Sequence, residues 1–361
     1  ITRFPSDSRA GHGHHQTSAY LAAEAFKLSN DPNAYSDQLK FVKPWQAKRI
    51  VWNSYSPGFT NNAPNGEQNT PYISVEIGGY NALLGKSYNE IAAESRSQHK
   101  SQGFGSAVTR GKRTDYLIHQ DGVVAKKSLF EDINPTWSRV AGGDKIEPLV
   151  TSLIQNFQLD NPSASVAGLL NIHAELHKLD STNHYIQLKK TEIQNLIVQC
   201  LGLWFETNPK EYAGVAREKT NINISVINRS NFPVKLLSYR WTGAKKDSVV
   251  NVALENNLLK QFQIQTTLPT DLKVSQPYWL LKPVDKGNFQ IDQQQDVGYP
   301  ENRSETTTTY VFDIGGQIFS FAKDWQYKFT NPAEGEIYSA FEIRPAVTTN
   351  ITEPVFIFSD N

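Results

Sequence analysis

Residues 306–321 read TTTTYVFDIGGQIFSF, and this stretch decides the fold of the C-terminal part of the chain. Apolar and polar residues alternate along Thr306–Ile314 and again along Gln317–Phe321, which predicts two half-buried strands. The intervening Asp313–Gln317 contains two glycines, and these supply the left-handed backbone that a tight hairpin turn needs. The stretch therefore predicts an antiparallel β-hairpin.

Further strands are predicted upstream of this hairpin. Alternation is found at Ile222, Ile224 and Val226, and strand-like runs follow at residues 234–241 and 262–267. Short strands at such spacing are typical of an antiparallel β-sandwich, so we assign residues 216–350 to an immunoglobulin-like β-sandwich domain.

The middle of the chain, residues 136–215, carries a helical pattern. Apolar residues recur at helical spacing in three segments: Ile146, Leu149, Val150, Leu153, Ile154 and Phe157; Val166, Leu169, Leu170, Ile172, His173 and Leu176; Ile193, Leu196, Ile197 and Cys200. This periodicity predicts a small helical bundle, or a helical layer packed on the domain that precedes it.

Residues 1–135 alternate between helix and strand patterns. A helix is predicted from Thr17 to Leu28 and another from Ser87 to about Gln102, with strands at 49–52 and 73–77. This order favours an α/β layered domain with a largely parallel sheet. At the other end of the chain, residues 351–361 suggest the start of a further domain or a linker.

Composition excludes several classes of function. The 361 residues include 36 basic and 36 acidic ones, so no excess positive charge favours nucleic acid or an anionic membrane. The longest apolar run, residues 196–205, is about half as long as a membrane span. The single cysteine, Cys200, excludes an internal disulfide framework.

Histidines are concentrated near the N-terminus. His12, His14 and His15 lie within four residues, on a glycine-containing loop that we expect to lead into a helix. Neutral imidazole is a common zinc ligand and the usual acid or base at neutral pH. One histidine of the H-x-x-H pair could thus bind metal while the other transfers a proton or stabilises an oxyanion. The alternatives are a solvated polar loop and a metal scavenger without catalytic activity.

Two segments resemble a known family. Arg9–Gln16, followed by an alanine-rich helix, is similar to the second metal motif of the PIG-L (LmbE-like) zinc-dependent N-deacetylases, which commonly reads G-H-P-D-H. Glu94–Gln102 is similar to the late helix of that family, which ends in H-x-S-Q. The details look most like a large multi-domain bacterial branch. The resemblance implies a Rossmann-like layered catalytic domain followed by the helical region and the β-sandwich.

The resemblance also assigns residues. It implies that His15 binds zinc and that His12 stabilises the oxyanion or protonates the leaving amine. His99 and Gln102 match the late motif and are expected to support the site, whereas His14 is an extra imidazole without an assigned role. The implied substrate is an N-acetylated sugar or glycoconjugate, and the implied location is the bacterial periplasm or the medium.

The chain departs from the family in its first motif. The A-H-P-D-D-E segment, which supplies two zinc ligands and the general base, does not occur in the 361 residues. We expect it upstream of Ile1, so the chain would be an incomplete piece of the enzyme, inactive alone, and zinc-free if those ligands are missing. Its own cleaved N-terminal segment is then a candidate partner. In addition, Ala10 stands where some members have a tyrosine.

A non-catalytic function is the alternative. Aromatic residues of the β region, Tyr278-Trp279 and Trp325 with Tyr327, could stack on sugar rings, although a place in the core is the commoner role of such residues. The protein would then bind carbohydrate through the β-sandwich and keep a degenerate deacetylase scaffold.

Two further histidines, His173 and His177, are spaced for a shared helix face. They lack the H-E-x-x-H pattern, and the neighbouring leucines favour packing over metal binding.

Overall fold

The computed structural model describes residues 1–54, 70–350, 352 and 355. The chain divides into two units, Ile1–Pro135 and Thr136–Asn361. Both units contain helices and antiparallel sheets, and the second is richer in strands. Among the described residues, no helix has the length and apolar character needed to cross a membrane. Most of the expected C-terminal extension, 351–361, lies outside the described residues.

The first unit is built around a small antiparallel sheet. Its described elements are two helices, α1 (Gly13–Leu28) and α2 (Tyr88–Ser97), and five strands, β1 (Arg49–Ser54), β2 (Tyr72–Glu76), β3 (Tyr80–Asn81), β4 (Lys86–Ser87) and β5 (Thr114–Gly122). Strand β5 lies between β1 and β2 and is antiparallel to both. Val51, Ile73 and Leu117, one from each strand, form the centre of its apolar core.

The prediction of a largely parallel sheet is wrong for the described strands. Among the described residues of this unit, parallel pairing is limited to the bridge between Thr2 and Trp52. There the Thr2 N–H donates to the Val51 carbonyl at 2.8 Å, and the Asn53 N–H donates to the Thr2 carbonyl at 2.9 Å. The order of elements along the chain does not fix strand direction, because β5 returns after a long connection and inserts between β1 and β2.

Helix α2 begins where the sequence predicts. The Ser87 hydroxyl accepts the Glu90 N–H at 3.3 Å, and the Glu90 carboxylate accepts the Ser87 N–H at 2.8 Å, which forms a capping box. The helix ends at Ser97, earlier than predicted, and a short 3₁₀ helix at Lys100–Gln102 follows it. Gly103 then adopts a φ of 65°, which ends the helical segment.

Three helices open the second unit: α3 (Ile146–Gln155), α4 (Val166–Leu176) and α5 (His184–Leu201). Most residues of their predicted apolar faces pack in one core that they share with the strands that follow, but Ile154, Phe157 and Leu196 are exposed. Ile146, Ile186 and Ile197 are fully buried in it, together with Leu236 and Phe312 of the strands. Within the second unit these helices pack on the β-sandwich, so the expected boundary at 215/216 falls inside one core.

The described strands of this unit form four sheets. The strands are β6 (Trp204–Pro209), β7 (Ala213–Val215), β8 (Lys219–Ile227), β9 (Val234–Trp241), β10 (Ser248–Ala253), β11 (Lys260–Thr267), β12 (Thr307–Ile314), β13 (Gln317–Asp324), β14 (Gln326–Asn331), β15 (Gly335–Ala340) and β16 (Glu342–Arg344). The two larger sheets are antiparallel, with the orders β10-β9-β12-β13 and β11-β8-β6, while β14 pairs with β15 and β16 pairs parallel to β7. Buried residues of the two larger sheets meet in the shared core, so the arrangement is a sandwich.

The hairpin that the sequence predicts is confirmed, whereas six strands were not predicted: β6, β7, β10, β14, β15 and β16. Strands β12 and β13 pair from Thr307 opposite Asp324 to Ile314 opposite Gln317, with Gly315 and Gly316 at φ values of 56° and 88° in the turn. Strand β6 belongs to the sandwich, although its first two residues end the apolar run 196–205 within the region that we predicted to be helical. A short apolar run is compatible with a helix or with a strand. Here Gly202, at φ 57°, ends α5 before β6 begins.

Candidate functional site

The three N-terminal histidines lie at the start of α1. The helix begins at Gly13, earlier than predicted, so His12 is the extended N-cap residue, and His14 and His15 lie in the first turn. The ring centroids of His12 and His15 are 5.3 Å apart, those of His14 and His15 are 4.2 Å apart, and those of His12 and His14 are 5.5 Å apart. The structure thus brings the three imidazoles together.

His15 is held in one orientation by two contacts. Its ring stacks on Phe4 with a centroid distance of 3.8 Å and an angle of 5° between the planes. Its Nδ1 lies 3.3 Å from the carbonyl oxygen of Ala10. A carbonyl can only accept, so Nδ1 carries the hydrogen, and in the neutral tautomer Nε2 has the lone pair. His15 therefore presents Nε2 as a ligand or base.

The loop before the helix is fixed by an ion pair. The Asp7 carboxylate accepts bonds from Arg9 Nε at 2.9 Å and Nη2 at 2.5 Å, and it accepts the Arg9 N–H at 3.0 Å at the start of the 3₁₀ helix Ser8–Ala10. These bonds to Arg9 hold the pKa of Asp7 below its ordinary value. The Arg9 guanidinium lies 5.2 Å from the ring centroid of the buried Trp52. The loop is thereby tied to strand β1.

His12 and His14 are exposed, and the His12 side chain does not cap the helix. In the part of the chain that the structure describes, no group of three or more histidine, cysteine, aspartate or glutamate side chains is arranged to hold a metal ion. The start of α1 therefore provides one oriented imidazole and two exposed ones, and not a complete metal site.

The other two predicted site residues lie in a separate segment. His99 follows α2, with its Nδ1 3.2 Å from the Arg96 carbonyl oxygen and its ring centroid 6.3 Å from that of Phe104. Gln102 is an exposed residue of the short 3₁₀ helix. These contacts are local, and they tie His99 to its own helix end.

Sequence reasoning missed the two partners of His15. Phe4 precedes it by eleven positions in an irregular segment, so no periodicity connects the two rings. Ala10 was noted only for the side chain it lacks, whereas its backbone carbonyl makes the contact. The proximity of Ala10 to the loop was the one signal available from the sequence.

Two clefts are lined by residues other than these histidines. The one in the first unit has a volume of about 710 Å³ and is lined by Arg3, Asn53 and Asp115 among other residues. Asn53 accepts a bond from Arg3 and donates one to Asp115 at 3.0 Å, so this polar side is internally paired.

The second cleft lies on the four-stranded sheet of the sandwich and has a volume of about 620 Å³. Hydroxyl groups line it, from Ser238, Thr307, Thr309 and Ser320, next to Trp241. At its side, Arg240 and Asp247 lie 3.7 Å apart. The other aromatic residues that could stack on a sugar differ in burial. Trp325 is fully buried, whereas Tyr278 and Trp279 are half-buried in the 3₁₀ helix Tyr278–Leu280.

Comparisons with known proteins add little. No family model and no curated protein matches the chain. Among solved structures it matches Spo0M, a sporulation control protein from Bacillus subtilis, at 12% identity and a TM-score of 0.16, over 34% of this chain and 47% of that one. It also matches the DNA-bound alkylpurine DNA glycosylase AlkC from Pseudomonas fluorescens at 8% identity and a TM-score of 0.17, over 53% and 49%. The chain thus spans about half of each, and such low scores support no argument about fold or function.

Proposed function

We propose that the chain is part of a zinc-dependent N-deacetylase that removes acetyl groups from an N-acetylated sugar or glycoconjugate. The observation that carries this proposal is the orientation of His15. Its Nδ1–H is directed at the Ala10 carbonyl, 3.3 Å away, and Phe4 fixes the plane of the ring. Metal-binding histidines usually donate their second ring N–H to a carbonyl or carboxylate in this way. His15 Nε2 is thus suited to bind zinc.

The neighbouring groups suit the rest of the reaction. When bound, zinc would supply an activated water and polarise the acetyl carbonyl. The ring centroid of His12 is 5.3 Å from that of His15, so His12 can deliver a proton to the amine nitrogen as the C–N bond breaks. The first turn of α1 also favours negative charge, because its backbone N–H groups point out of the helix. His14 shares the cluster without an assigned step.

The side chains at the start of α1 provide one zinc ligand, His15, and not a complete zinc site. The proposal therefore requires two more ligands and a general base, which the family resemblance assigns to an A-H-P-D-D-E segment that these 361 residues lack. It follows that the chain by itself should not hydrolyse amides. We also propose export to the periplasm or medium, on the resemblance alone.

The first experiment measures zinc binding by a form that carries the A-H-P-D-D-E segment ahead of Ile1. Calorimetry compares this form with its His15→Ala variant and with the control His184→Ala, which removes an exposed histidine at the start of α5. We expect His15→Ala to lose one equivalent of Zn²⁺ that His184→Ala retains. Equal binding by all three proteins would refute the assignment of His15.

The second experiment measures activity. Acetate release from N-acetylglucosamine conjugates is followed for a form that carries the A-H-P-D-D-E segment ahead of Ile1, with and without a chelator. Chelation and His15→Ala should each abolish release, and His12→Ala should lower the turnover rate more than zinc affinity. A rate unchanged by His15→Ala would contradict the proposal.

Carbohydrate binding without catalysis is the second candidate. The hydroxyl-lined cleft of about 620 Å³ favours it, because sugar hydroxyls pair well with serine, threonine and arginine side chains beside an indole ring. The test is retention of the whole chain on immobilised polysaccharides, because α3–α5 share the sandwich core and cannot be removed. Arg240→Ala should reduce retention and the control Lys235→Ala, an exposed residue of the same strand, should not. Absence of retention on every glycan would exclude this candidate.

A further inference from the structure

A second histidine pair lies at the end of α4, inside the second unit. His173 is 7% exposed, and His177, one turn later, is open to solvent. Their Nε2 atoms are 3.1 Å apart. The side-chain amide of Gln194, from α5, lies 3.4 Å from the same Nε2 of His173. The side chains of His177 and Gln194 therefore both approach His173 Nε2 at the end of α4.

The hydrogen bonds around His173 leave its Nε2 lone pair available. The Gln317 amide nitrogen donates to the Leu170 carbonyl at 3.0 Å, which directs the amide oxygen of Gln317 toward His173. That oxygen lies 2.9 Å from His173 Nδ1 and must accept its hydrogen. His173 Nε2 is then unprotonated and points at His177. Metal-binding histidines usually donate their second ring N–H to an oxygen acceptor, and the Gln317 amide oxygen is such an acceptor.

The separations match those of metal ligands. Zinc–nitrogen bonds of about 2.05 Å in a tetrahedral site place neighbouring ligands roughly 3.3 Å apart. The observed 3.1 and 3.4 Å lie on either side of this value. Half a turn of the Gln194 amide brings its oxygen to the place of its nitrogen, and a shift of the His177 proton to Nδ1 frees its Nε2. Both changes are local and need no backbone movement.

We propose that His173, His177 and Gln194 form a binding site for a divalent transition metal such as Zn²⁺, with water as the fourth ligand. The last carbonyl groups of α4 add favourable negative potential at this helix end. The positive charge of Lys190, which acts on His177, opposes metal binding. A metal here joins α4 to α5, and Gln317 extends the connection to β13.

The test separates this site from the histidines of α1. The whole chain carrying His12→Ala, His14→Ala and His15→Ala serves as background, so the result does not depend on the proposed deacetylase function. Zn²⁺ binding is measured by calorimetry and by the metal-induced rise in Tm, and Co²⁺ is used as a spectroscopic probe. We expect one equivalent to bind, with a Co²⁺ spectrum typical of four-coordinate geometry.

Four variants in that background decide the assignment. His177→Ala should abolish binding, Gln317→Ala should weaken it about tenfold through loss of the supporting bond, and Lys190→Gln should strengthen it. The control His184→Ala should leave it unchanged. Because His177 is exposed, its variant should remain folded, which circular dichroism without metal verifies. No uptake of Zn²⁺ by the background protein, or equal uptake after His177→Ala, would overturn the proposal in favour of a plain histidine–histidine hydrogen bond.

Discussion

Truncation of Ile197 to alanine tests whether the helices and the sandwich form one folding unit. Ile197 lies on α5, is fully buried and belongs to the same core as Leu236 of β9 and Phe312 of β12. Its neighbour Leu196 lies on the same helix but is 45% exposed, which makes Leu196→Ala a matched control. If the core is shared, damage at Ile197 must reach the strands.

The magnitude follows from what is removed. Ile197→Ala deletes three buried carbon atoms, worth about 2.4 kcal/mol at roughly 0.8 kcal/mol each. The cavity left in a core that relaxes only partly adds to this, so the expected loss of unfolding free energy is about 3–4 kcal/mol. Leu196→Ala removes a similar side chain from a half-exposed position and should cost about 1 kcal/mol or less.

Urea denaturation measures the total loss, and hydrogen exchange followed by mass spectrometry locates it. We expect faster exchange in α5 and also in β12, which is more than a hundred residues away in sequence. If Ile197→Ala accelerates exchange in α5 and leaves β12 protected as in the unaltered protein, the helices are an independent layer and the shared core is refuted.

Three further predictions concern other parts of the chain. Tyr310→Phe removes the hydroxyl that lies 2.6 Å from the Thr207 hydroxyl in the buried core, and it should lower the unfolding free energy in urea by about 1 kcal/mol. The pKa of His177 is lowered in the folded state mainly by burial, so the unfolded chain takes up a proton at higher pH than the folded one. The free energy of unfolding should therefore fall as the pH drops below about 6.5. His177→Gln should remove that part of the pH dependence of Tm. Ser87→Ala breaks the capping box with Glu90 and should destabilise α2 by about 1 kcal/mol, seen as faster amide exchange in its first turn.

Local patterns in the sequence predicted individual elements well. Alternation and two glycines fixed the β12–β13 hairpin, and the apolar face of α4 is buried as its spacing indicates. These features depend on residues close together in the chain. The sequence also located the imidazole cluster, although it placed the start of α1 too late.

Partners distant in the chain were not predictable. His173 and Gln317 are separated by 144 positions, and nothing in either neighbourhood indicates the bond between them. The resemblance grouped His99 and Gln102 with the site, whereas the contacts of His99 that the structure describes are local. The role of a histidine depends on the group that accepts the hydrogen of its second ring nitrogen. For His173 that group is the Gln317 amide oxygen, which folding brings from a distant part of the chain.

The sequence by itself determined which faces of the helices and strands are buried, because the periodicity of apolar residues reports burial directly. Only the tertiary structure decided what each face packs against: β5 antiparallel between β1 and β2, and α3–α5 on the sandwich. The reason is physical. Burial of apolar surface is non-directional, so many partners satisfy the same pattern. The choice among them rests on shape, backbone hydrogen bonds and chain connections across the whole fold.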